Sequence, residues 1–453
     1  MADAAPTAAL PPPPATYRWM VLLACSVAMF GNYYVFDALY PVTPLLERTF
    51  GITGTQIAQL DGAYNLAALL TLIAGGLLID RLGAATSATL FGAVGALGSL
   101  CIAVLPAVLP WPIAGLLVGR FLLGIGSELF IVAATTVVGR WFKGKEISFA
   151  LAIQLLIARF GSVVADKSPD LAAPLFDGWQ KPLLLAAGAG GLWLVMAVLY
   201  ATLERRALRR YDVVGAATTD KLVPSDLVRF DLGYWWVVGL CVAFYATIFP
   251  FRTFANLYFI DAHGVSPEAA GNLKSVLPLI SMIGMPLFGL LVDRIGRRAL
   301  LMAVGSLLLV PPFLTMVTWH SGVLLPEVSL PLLGTILSAG TPLDLVVAMA
   351  MMGLAFALVP AVLWPAVTYL VPTERLGSAY ALMTFCQQAF WWLMSTAMGA
   401  VKDATGASAA NPGGWTPVML MAGALATVGF VFSFLLWRSE QGPRAHGLET
   451  VKA

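Results

Sequence analysis

Apolar stretches long enough to cross a lipid bilayer follow one another along almost the whole of this 453-residue chain. A spanning helix needs about 20 consecutive apolar residues to cover the hydrocarbon core. Hydrophobic residues make up 59% of the chain and charged residues only 11%, which excludes an ordinary soluble domain. We therefore predict an all-α membrane protein. Its twelve transmembrane helices are predicted at roughly residues 19–46, 57–79, 84–106, 111–139, 146–167, 181–203, 233–260, 268–292, 299–319, 344–371, 376–400 and 414–437.

A duplicated segment divides these helices into two sets of six. Residues Gly76–Gly83 read GLLIDRLG, and residues Gly289–Gly296 read GLLVDRIG. Each copy lies where one apolar stretch ends and the next begins, so two pseudosymmetric six-helix bundles are predicted. The predicted organisation is a disordered cytoplasmic tail (1–18), a first bundle (19–203), a cytoplasmic linker (204–232), a second bundle (233–437) and a cytoplasmic tail (438–453).

The basic residues set the predicted orientation. Most of the 26 Lys and Arg residues fall in the predicted loops that share one side with both chain termini. Because short cytoplasmic loops are enriched in Lys and Arg, both termini are expected in the cytoplasm.

The duplicated segments fall in cytoplasmic turns under this orientation. Glycine lets two helices approach closely, and an Asp–Arg pair can bind neighbouring helix ends, so the turns are predicted to latch the cytoplasmic face in one state. The plainer interpretation is a charged helix stop. The placement resembles the signature loop of the major facilitator superfamily. The residues concerned are Asp80, Arg81 and Gly83 in the first copy and Asp293, Arg294 and Gly296 in the second.

Arg120 lies inside the fourth predicted helix, in the segment Gly119–Gly126. An arginine is costly in lipid, so it is expected to face the bundle and donate to carbonyl groups of a neighbouring helix. The segment resembles the buried-arginine motif of the same superfamily. A purely structural role and a gating role are both open for this residue.

Glu128 and Arg159 are the charges that best indicate a binding site. Counted from the cytoplasmic ends of their helices, they lie about 18 Å and about 20 Å deep at 1.5 Å per residue. Transporters built from repeats bind substrate near this depth, between their halves. Glu128 is predicted to hold an ammonium group and Arg159 a carboxylate, although a static ion pair between them is the alternative.

The first predicted helix carries Tyr33, Asp37 and Tyr40 on one face, because spacings of four and three return to the same side of a helix. Asn32 and Tyr34 flank this stripe and are included in the candidate site. For Asp37, helix capping and contact with substrate are both open.

The seventh and tenth predicted helices add Tyr245, Arg252 and Trp364 to the candidate site. Pro250 lacks a backbone donor and favours a bend just before Arg252, which is a candidate gate or second anion contact. The alternative is an arginine that snorkels to the outer surface. For Trp364, a place at the lipid interface is the alternative.

Several segments outside the repeat carry a further family resemblance. They are Gly31–Asp37, Gly119–Glu128, Trp141–Glu146, Arg159–Val163, Ile248–Phe251 and Trp364–Pro365. Together they resemble the major facilitator superfamily domain-containing protein 1 family over nearly the whole chain. The best-known members of that family are lysosomal dipeptide transporters. The resemblance implies that Glu128 and Arg159 line the dipeptide site.

The location is expected to differ from that of the lysosomal members. The N-terminal tail has no acidic dileucine sorting signal, and the chain has no Asn-X-Ser/Thr sequon for glycosylation. We therefore expect a bacterial inner (cell) membrane rather than a lysosomal membrane, and no accessory glycoprotein subunit. A monomer or a weak dimer is expected.

The predicted function is alternating-access transport of small zwitterions, above all dipeptides, by uniport or with proton coupling. The alternative is a carrier of organic anions, monocarboxylates or single amino acids, in which Arg120, Arg159 and Arg252 supply the anion contacts. A non-transporting membrane sensor is a third interpretation.

Other classes of function lack a sequence basis. No basic block indicates nucleic acid, and the four cysteines lie singly inside apolar stretches. The three histidines show no metal spacing and no nucleophile arrangement. We predict no cofactor, no metal site and no catalytic residue.

Overall fold

The apolar stretches form long α-helices in a computed structural model of the chain. It describes residues 11, 13–142, 147–211, 230–319, 321–331, 334–371, 376–443 and 445–450, without the side chains of 72–81, 139, 147–148, 293, 376–378 and 381. The helices are α1 (Ala15–Asp37), α2 (Thr43–Phe50), α3 (Gly54–Leu82), α4 (Ala84–Val108), α5 (Pro112–Trp141), α6 (Ile147–Asp166), α7 (Ser168–Leu171), α8 (Gln180–Leu208), α9 (Leu232–His263), α10 (Pro267–Ile295), α11 (Arg298–Leu307), α12 (Val310–Thr318), α13 (Leu343–Leu370), α14 (Leu376–Thr405) and α15 (Trp415–Ser439).

Ten helical segments of the described chain are long and apolar enough to cross a membrane. They comprise α1 with α2, α11 with α12, and the single helices α4, α5, α6, α8, α9, α10, α13 and α15. This confirms the prediction of a helical multi-pass membrane protein. Helices α3 and α14 have 29 and 30 residues, but their side chains are described only in part, so the count of twelve spans stays a prediction.

The helices pack into two groups. In the first half of the chain, α1 packs against α6 and α8, and α4 and α5 form a close pair. In the second half, α9 packs against α14 and α15, and α10 packs against α13. The two groups meet where α3 contacts α14 and where α6 contacts α10. The exact limits assigned to the bundles and linker stay predictions, since residues 212–229 lie outside the described chain.

The first predicted span, residues 19–46, is not one continuous helix. Helix α1 begins earlier, at Ala15, and ends at Asp37; a 3₁₀ turn (Tyr40–Val42) and α2 follow. Pro41 has no backbone N–H to donate to the carbonyl of Asp37, four residues earlier. The helix therefore ends inside the predicted span and leaves Asp37 at its C-terminus.

The ninth predicted span, residues 299–319, is divided in the same way. Helix α11 ends at Leu307, and α12 begins at Val310. Pro311 cannot donate to the carbonyl of Leu307, and a proline near the start of α12 suits the first turn of a helix. Both breaks follow from prolines that the prediction of a continuous span overlooked.

A small antiparallel structure lies between α12 and α13, where the sequence predicted no element. Strand β1 (Leu324–Leu325) pairs with β4 (Thr341–Pro342), and β2 (Val328–Leu330) pairs with β3 (Gly334–Leu337). In strand β3, Ile336 packs against Val163 near the end of α6 and Leu279 of α10. We call strands β1 to β4 the hairpin. It therefore contacts both helix groups.

Each of the two duplicated turns has its last glycine at a positive φ. Gly83 joins α3 to α4 with a φ of 79°, and Gly296 joins α10 to α11 with a φ of 79°. This positive φ is readily adopted only by glycine. The duplicated glycines are therefore required by a tight turn at equivalent points of the two groups.

Helices α4 and α5 approach to backbone contact through facing glycines. A Cβ built at Gly126 would lie 2.4 Å from the backbone nitrogen of Gly95, and one at Gly98 would lie 2.6 Å from the backbone nitrogen of Leu123. No side chain larger than hydrogen fits at such a distance. Close packing of this kind holds helices together in lipid, where the hydrophobic effect between them is weak.

We predict that Gly126→Leu destabilises the protein, because the new side chain would force α4 and α5 apart. Overpacking of this kind lowers the free energy of unfolding by about 1–3 kcal/mol. Thermal unfolding in detergent measures the effect. The matched control is Gly188→Leu, since a side chain at exposed Gly188 meets nothing within 4 Å. Equal unfolding midpoints for the two variants would contradict the packing argument.

Candidate functional site

The two helix groups enclose a cavity of about 350 Å³. Helices α1, α3, α5 and α6 line it from the first group, and α9, α13 and α14 line it from the second. Most of the predicted site residues meet in this cavity. They are Asn32, Tyr33, Asp37, Glu128, Arg159, Tyr245, Arg252 and Trp364.

Glu128 of α5 presents its carboxylate to the cavity. The Tyr64 hydroxyl of α3 donates to Oε1 of Glu128 at 2.8 Å and lies 2.9 Å from the Ser127 hydroxyl. Ser127 in turn donates to Oδ1 of Asn32 at 2.7 Å. This chain of polar contacts fixes the carboxylate between α1, α3 and α5 and leaves it further acceptor capacity.

Arg159 of α6 is held by aromatic rings rather than by a carboxylate. Its guanidinium lies 4.7 Å from the ring centroid of Phe356 and 5.5 Å from that of Tyr33. Its Nε atom has no hydrogen-bond partner among the described residues. A guanidinium stacked on aromatic faces is oriented but keeps its donors free for a planar anion.

Glu128 and Arg159 do not neutralise each other. No salt bridge joins them within the part of the chain that the structure describes, although both line the same cavity. The alternative of a static ion pair is therefore not seen in this structure. Two opposite charges can bind the two ends of a small zwitterion.

Aromatic side chains form the wall contributed by the second helix group. Trp364 donates from Nε1 to the hydroxyl of Tyr245 at 3.0 Å. Trp391 stacks on Phe249 with 4.2 Å between ring centroids and is only 3% exposed. Trp392, the next residue, is 40% exposed, so α14 turns only one of its paired tryptophans into the cavity.

Tyr34 does not line the cavity and is a correction to the predicted site. It packs against Ala165 of α6 and Ala186 of α8. Successive residues point about 100° apart on a helix, and this turn directs Tyr34 towards α6 and α8. Asn32, the other residue beside the predicted stripe, does line the cavity, whereas Tyr40 of the stripe is not among its lining residues.

Arg252 joins the two helix groups through buried ion pairs. Its Nη2 lies 2.8 Å from Oδ1 of Asp37 and 3.3 Å from Oδ2 of Asp166. Lys274 of α10 adds a third contact, with Nζ 2.9 Å from Oδ1 of Asp166. Arg252 is 1% exposed, so the alternative of a snorkelling arginine is wrong. We call these four residues the outer ion network, following the predicted orientation.

A second buried pair lies within the first group. Arg120 is fully buried and places Nη2 2.7 Å from Oδ1 of Asp61. It also donates to the Phe36 carbonyl of α1 at 3.1 Å. The Thr253 hydroxyl of α9 donates to the other Asp61 oxygen. Arg120 does not line the cavity, so its contacts fit a structural role better than an anion site.

The described residues of the duplicated turns do not line the cavity. Gly83 and Gly296 form the turns, and Arg294 is exposed. The side chains of Asp80, Arg81 and Asp293 lie outside the described part of the structure, so their predicted latch stays a prediction.

Sequence reasoning missed three charged residues of this region. Lys274 lies inside the predicted span 268–292 but was not included in the candidate site, and it is fully buried in α10. Asp61 and Asp166 were not considered, although each is an acidic residue inside or at the end of an apolar helix. The cost of burying a charge in lipid was the signal that would have indicated them.

Polar contacts between the helix groups continue where α2 and the start of α3 meet the end of α14. Lys402 places Nζ 2.9 Å from Oε1 of Glu47. Asp403 accepts from the Gly54 nitrogen at 2.7 Å and from the Thr55 hydroxyl at 2.6 Å. These contacts close the outer face of the cavity.

A second chamber, of about 450 Å³, adjoins the cavity on the opposite side, which is the inner side under the predicted orientation. It shares Arg159, Tyr245 and Trp364 with the cavity. The other wall residues come from the first half of α6, the second half of α10 and the second half of α13. Under the predicted orientation, ion pairs and hydrogen bonds therefore join the two groups on the outer side of the cavity, and the second chamber lies on its inner side.

Known proteins resemble this chain in sequence and fold. The sequence profile of the Major Facilitator Superfamily matches residues 25–396. The chain is 29% identical over 409 residues to the lysosomal dipeptide transporter MFSD1 of Homo sapiens, across 86% of this chain and 81% of that protein. It is 28% identical over 308 residues to the alpha-ketoglutarate permease of Escherichia coli K12, across 64% and 69% of the two chains.

A solved structure extends the likeness of fold. The nucleoside transporter NupG superposes with a TM-score of 0.67 at 12% identity, covering 92% of this chain and 99% of that one. At this identity the likeness concerns the fold alone. Together with the family match, it identifies the paired helix groups as the fold of a membrane transporter rather than an enzyme. The chain belongs to the Major Facilitator Superfamily.

Proposed function

We propose that this protein transports dipeptides and other small zwitterions by alternating access, through uniport or with a coupled proton. The observation that carries the proposal is the presence of unpaired Glu128 and Arg159 on one cavity. The similarity to dipeptide transporters over 86% of the chain supports the same substrate class.

The chemistry of the cavity suits a peptide with free ends. The ammonium group of the substrate would bind the Glu128 carboxylate, and its carboxylate would bind two nitrogens of Arg159. Because Tyr64 and the rings around Arg159 already orient these charges, little side-chain freedom is lost on binding. The aromatic wall between them offers apolar contact without selecting one side chain.

The structure represents the inward-facing state under this proposal. The outer ion network closes one face, while the cavity continues towards the other. Both termini would lie in the cytoplasm of a bacterial cell, with the protein in the inner membrane. In the opposite state the turns at Gly83 and Gly296 would latch the cytoplasmic face.

The second candidate function is transport of organic anions. The likeness to the alpha-ketoglutarate permease favours it, and Arg159 lacks an acidic partner among the described residues. Arg252 is a weak candidate for a second anion contact, because two carboxylates already bind it. Glu128 distinguishes the two candidates, since a carboxylate in the cavity repels an anion and attracts an ammonium group.

We predict that Glu128 and Arg159 recognise opposite ends of a dipeptide. Wild-type protein should bind Ala-Ala about tenfold or more tightly than N-acetyl-Ala-Ala or Ala-Ala-amide, because a hydrogen bond to a charged group contributes about 1.5–3 kcal/mol. Glu128→Gln should abolish the discrimination against the acetylated peptide. Arg159→Gln should abolish the discrimination against the amide. Calorimetry or thermal shift of the purified proteins measures both.

Tyr34→Phe is the matched control for these two variants, because Tyr34 lies on α1 but outside the cavity. It should keep both discriminations. Binding of monocarboxylates in preference to every dipeptide would remove the peptide proposal and favour the anion carrier.

We predict that Asp403→Ala loosens the outer closure. The change removes hydrogen bonds to Gly54 and Thr55 across the two groups and leaves no buried charge behind, because Asp403 is exposed. The rate at which a membrane-impermeant thiol reagent reaches Ile131→Cys from outside should rise about tenfold, given the free energy of one charge-assisted hydrogen bond.

The background for this labelling is a variant without Cys25, Cys101, Cys241 and Cys386. Asp177→Ala is the control, since Asp177 pairs with Lys181 inside the first group only. An Asp403→Ala rate equal to that of the control would show that the contacts at α14 do not hold the outer face closed.

A further inference from the structure

The chamber on the inner side of Arg159 differs in chemistry from the cavity that holds Glu128. We call it the apolar chamber. Its volume of about 450 Å³ lies within the range of ligand pockets, about 300–1,000 Å³. Aliphatic and thioether side chains dominate its wall, chiefly Leu151, Leu155 and Leu156 of α6 and Met282, Met285 and Pro286 of α10.

Arg159 stands at the junction of the two spaces. It lines both of them, and so do Tyr245 and Trp364. Arg159 is also the single charged side chain among the described residues that line the apolar chamber. A carboxylate bound to Arg159 therefore lies at the mouth of a large space that offers apolar contact.

We propose that the apolar chamber binds the side chain of the carboxyl-terminal residue of the transported dipeptide. The inference rests on the proposed function and specifies which of the two substrate positions is selected for apolar character. The amino-terminal residue stays in the polar cavity beside Glu128.

The covalent structure of a dipeptide supports this assignment. The carboxylate carbon is bonded directly to the α-carbon that bears the second side chain. Fixing the carboxylate on Arg159 therefore places that side chain within two bonds of the chamber mouth. The first side chain is on the α-carbon next to the ammonium group, so it follows that group towards Glu128 and Tyr64.

The side chains of the chamber wall also indicate how strictly it discriminates between substrate side chains. Burial of apolar surface stabilises a large apolar side chain more than a small one. Met282 and Met285 have unbranched, flexible side chains that adapt to different shapes. We therefore expect a preference for large apolar residues at the second position, without a strict choice among them.

Sequence-isomeric dipeptides test the proposal with the wild-type protein. Ala-Phe and Phe-Ala have the same composition and the same terminal charges, as do Ala-Leu and Leu-Ala. We expect the isomers with the large residue second to bind about tenfold more tightly to purified protein, because only they place it in an apolar space. Equal affinities within each pair would overturn the proposal.

Gly289→Leu tests the location. Gly289 of α10 lines the chamber, and a Cβ added there meets nothing within 4 Å, so the new side chain fills open space. The ratio of Ala-Phe affinity to Ala-Ala affinity should fall about tenfold, with a smaller fall for Gly289→Ala. The control is Gly188→Leu, the same substitution at an exposed glycine of α8. It should keep the wild-type ratio of the two affinities.

The outcomes separate this proposal from the proposed function. If Gly289→Leu lowers the affinity for Ala-Phe and for Ala-Ala equally, the chamber is a passage rather than a binding site. The inference is then wrong, while the proposed function stands. If wild-type protein binds Ala-Ala but shows no isomer preference, the inference again fails alone. If no dipeptide binds, the proposed function fails and this inference fails with it.

Discussion

The energy of burying a charge inside a membrane governs the arrangement of this protein. An ionised side chain in the hydrocarbon region is costly unless another charge or a water-filled space stabilises it. The charges described above are stabilised by a charged partner, by the cavity, or, for Asp37 and Arg252, by both. Asp61 with Arg120, and Arg252 with its carboxylates, are paired and buried. Glu128 and Arg159 face a cavity.

The paired charges differ in what they join. Arg120 ties α5 to α1 and α3 within one helix group, so its contacts can persist while the groups move. Arg252 and Lys274 bind carboxylates of the opposite group, so any outward opening must separate them. Separation leaves each charge in need of new partners, and water entering the opened space would supply them. The ion pairs of Arg252 and Lys274 thus hold the outer side closed and also determine the free energy needed to open it.

Much of the architecture could be predicted from the sequence because it depends on local properties. Apolar length predicts the spans, and the repeated DRLG and DRIG segments predict turns that require glycine. Helix periodicity placed Tyr33 and Asp37 on one face, and depth placed Glu128 and Arg159 together on one cavity. Each of these inferences uses residues close in sequence or a distance counted along one helix.

The remainder depends on contacts between distant segments. The partner of Arg252 is Asp37, 215 residues away, and no pattern within either helix indicates it. Lys274 lies only seven positions after Pro267, which begins α10, and nothing within that helix indicates that it is buried beside Asp166. The hairpin β1–β4 was missed because its strands are too short to show alternation.

The hairpin has a consequence for how the protein could be inhibited. Ile336 of the hairpin packs against Val163 and Leu279, and the Lys167 side chain donates to the Thr335 carbonyl. The hairpin belongs to the second helix group but seals against the first, so outward opening must lift it from α6. An antibody fragment that clamps the hairpin onto this seam would arrest the cycle from the hairpin's side of the membrane. Such an inhibitor would be allosteric, because it would bind away from the cavity.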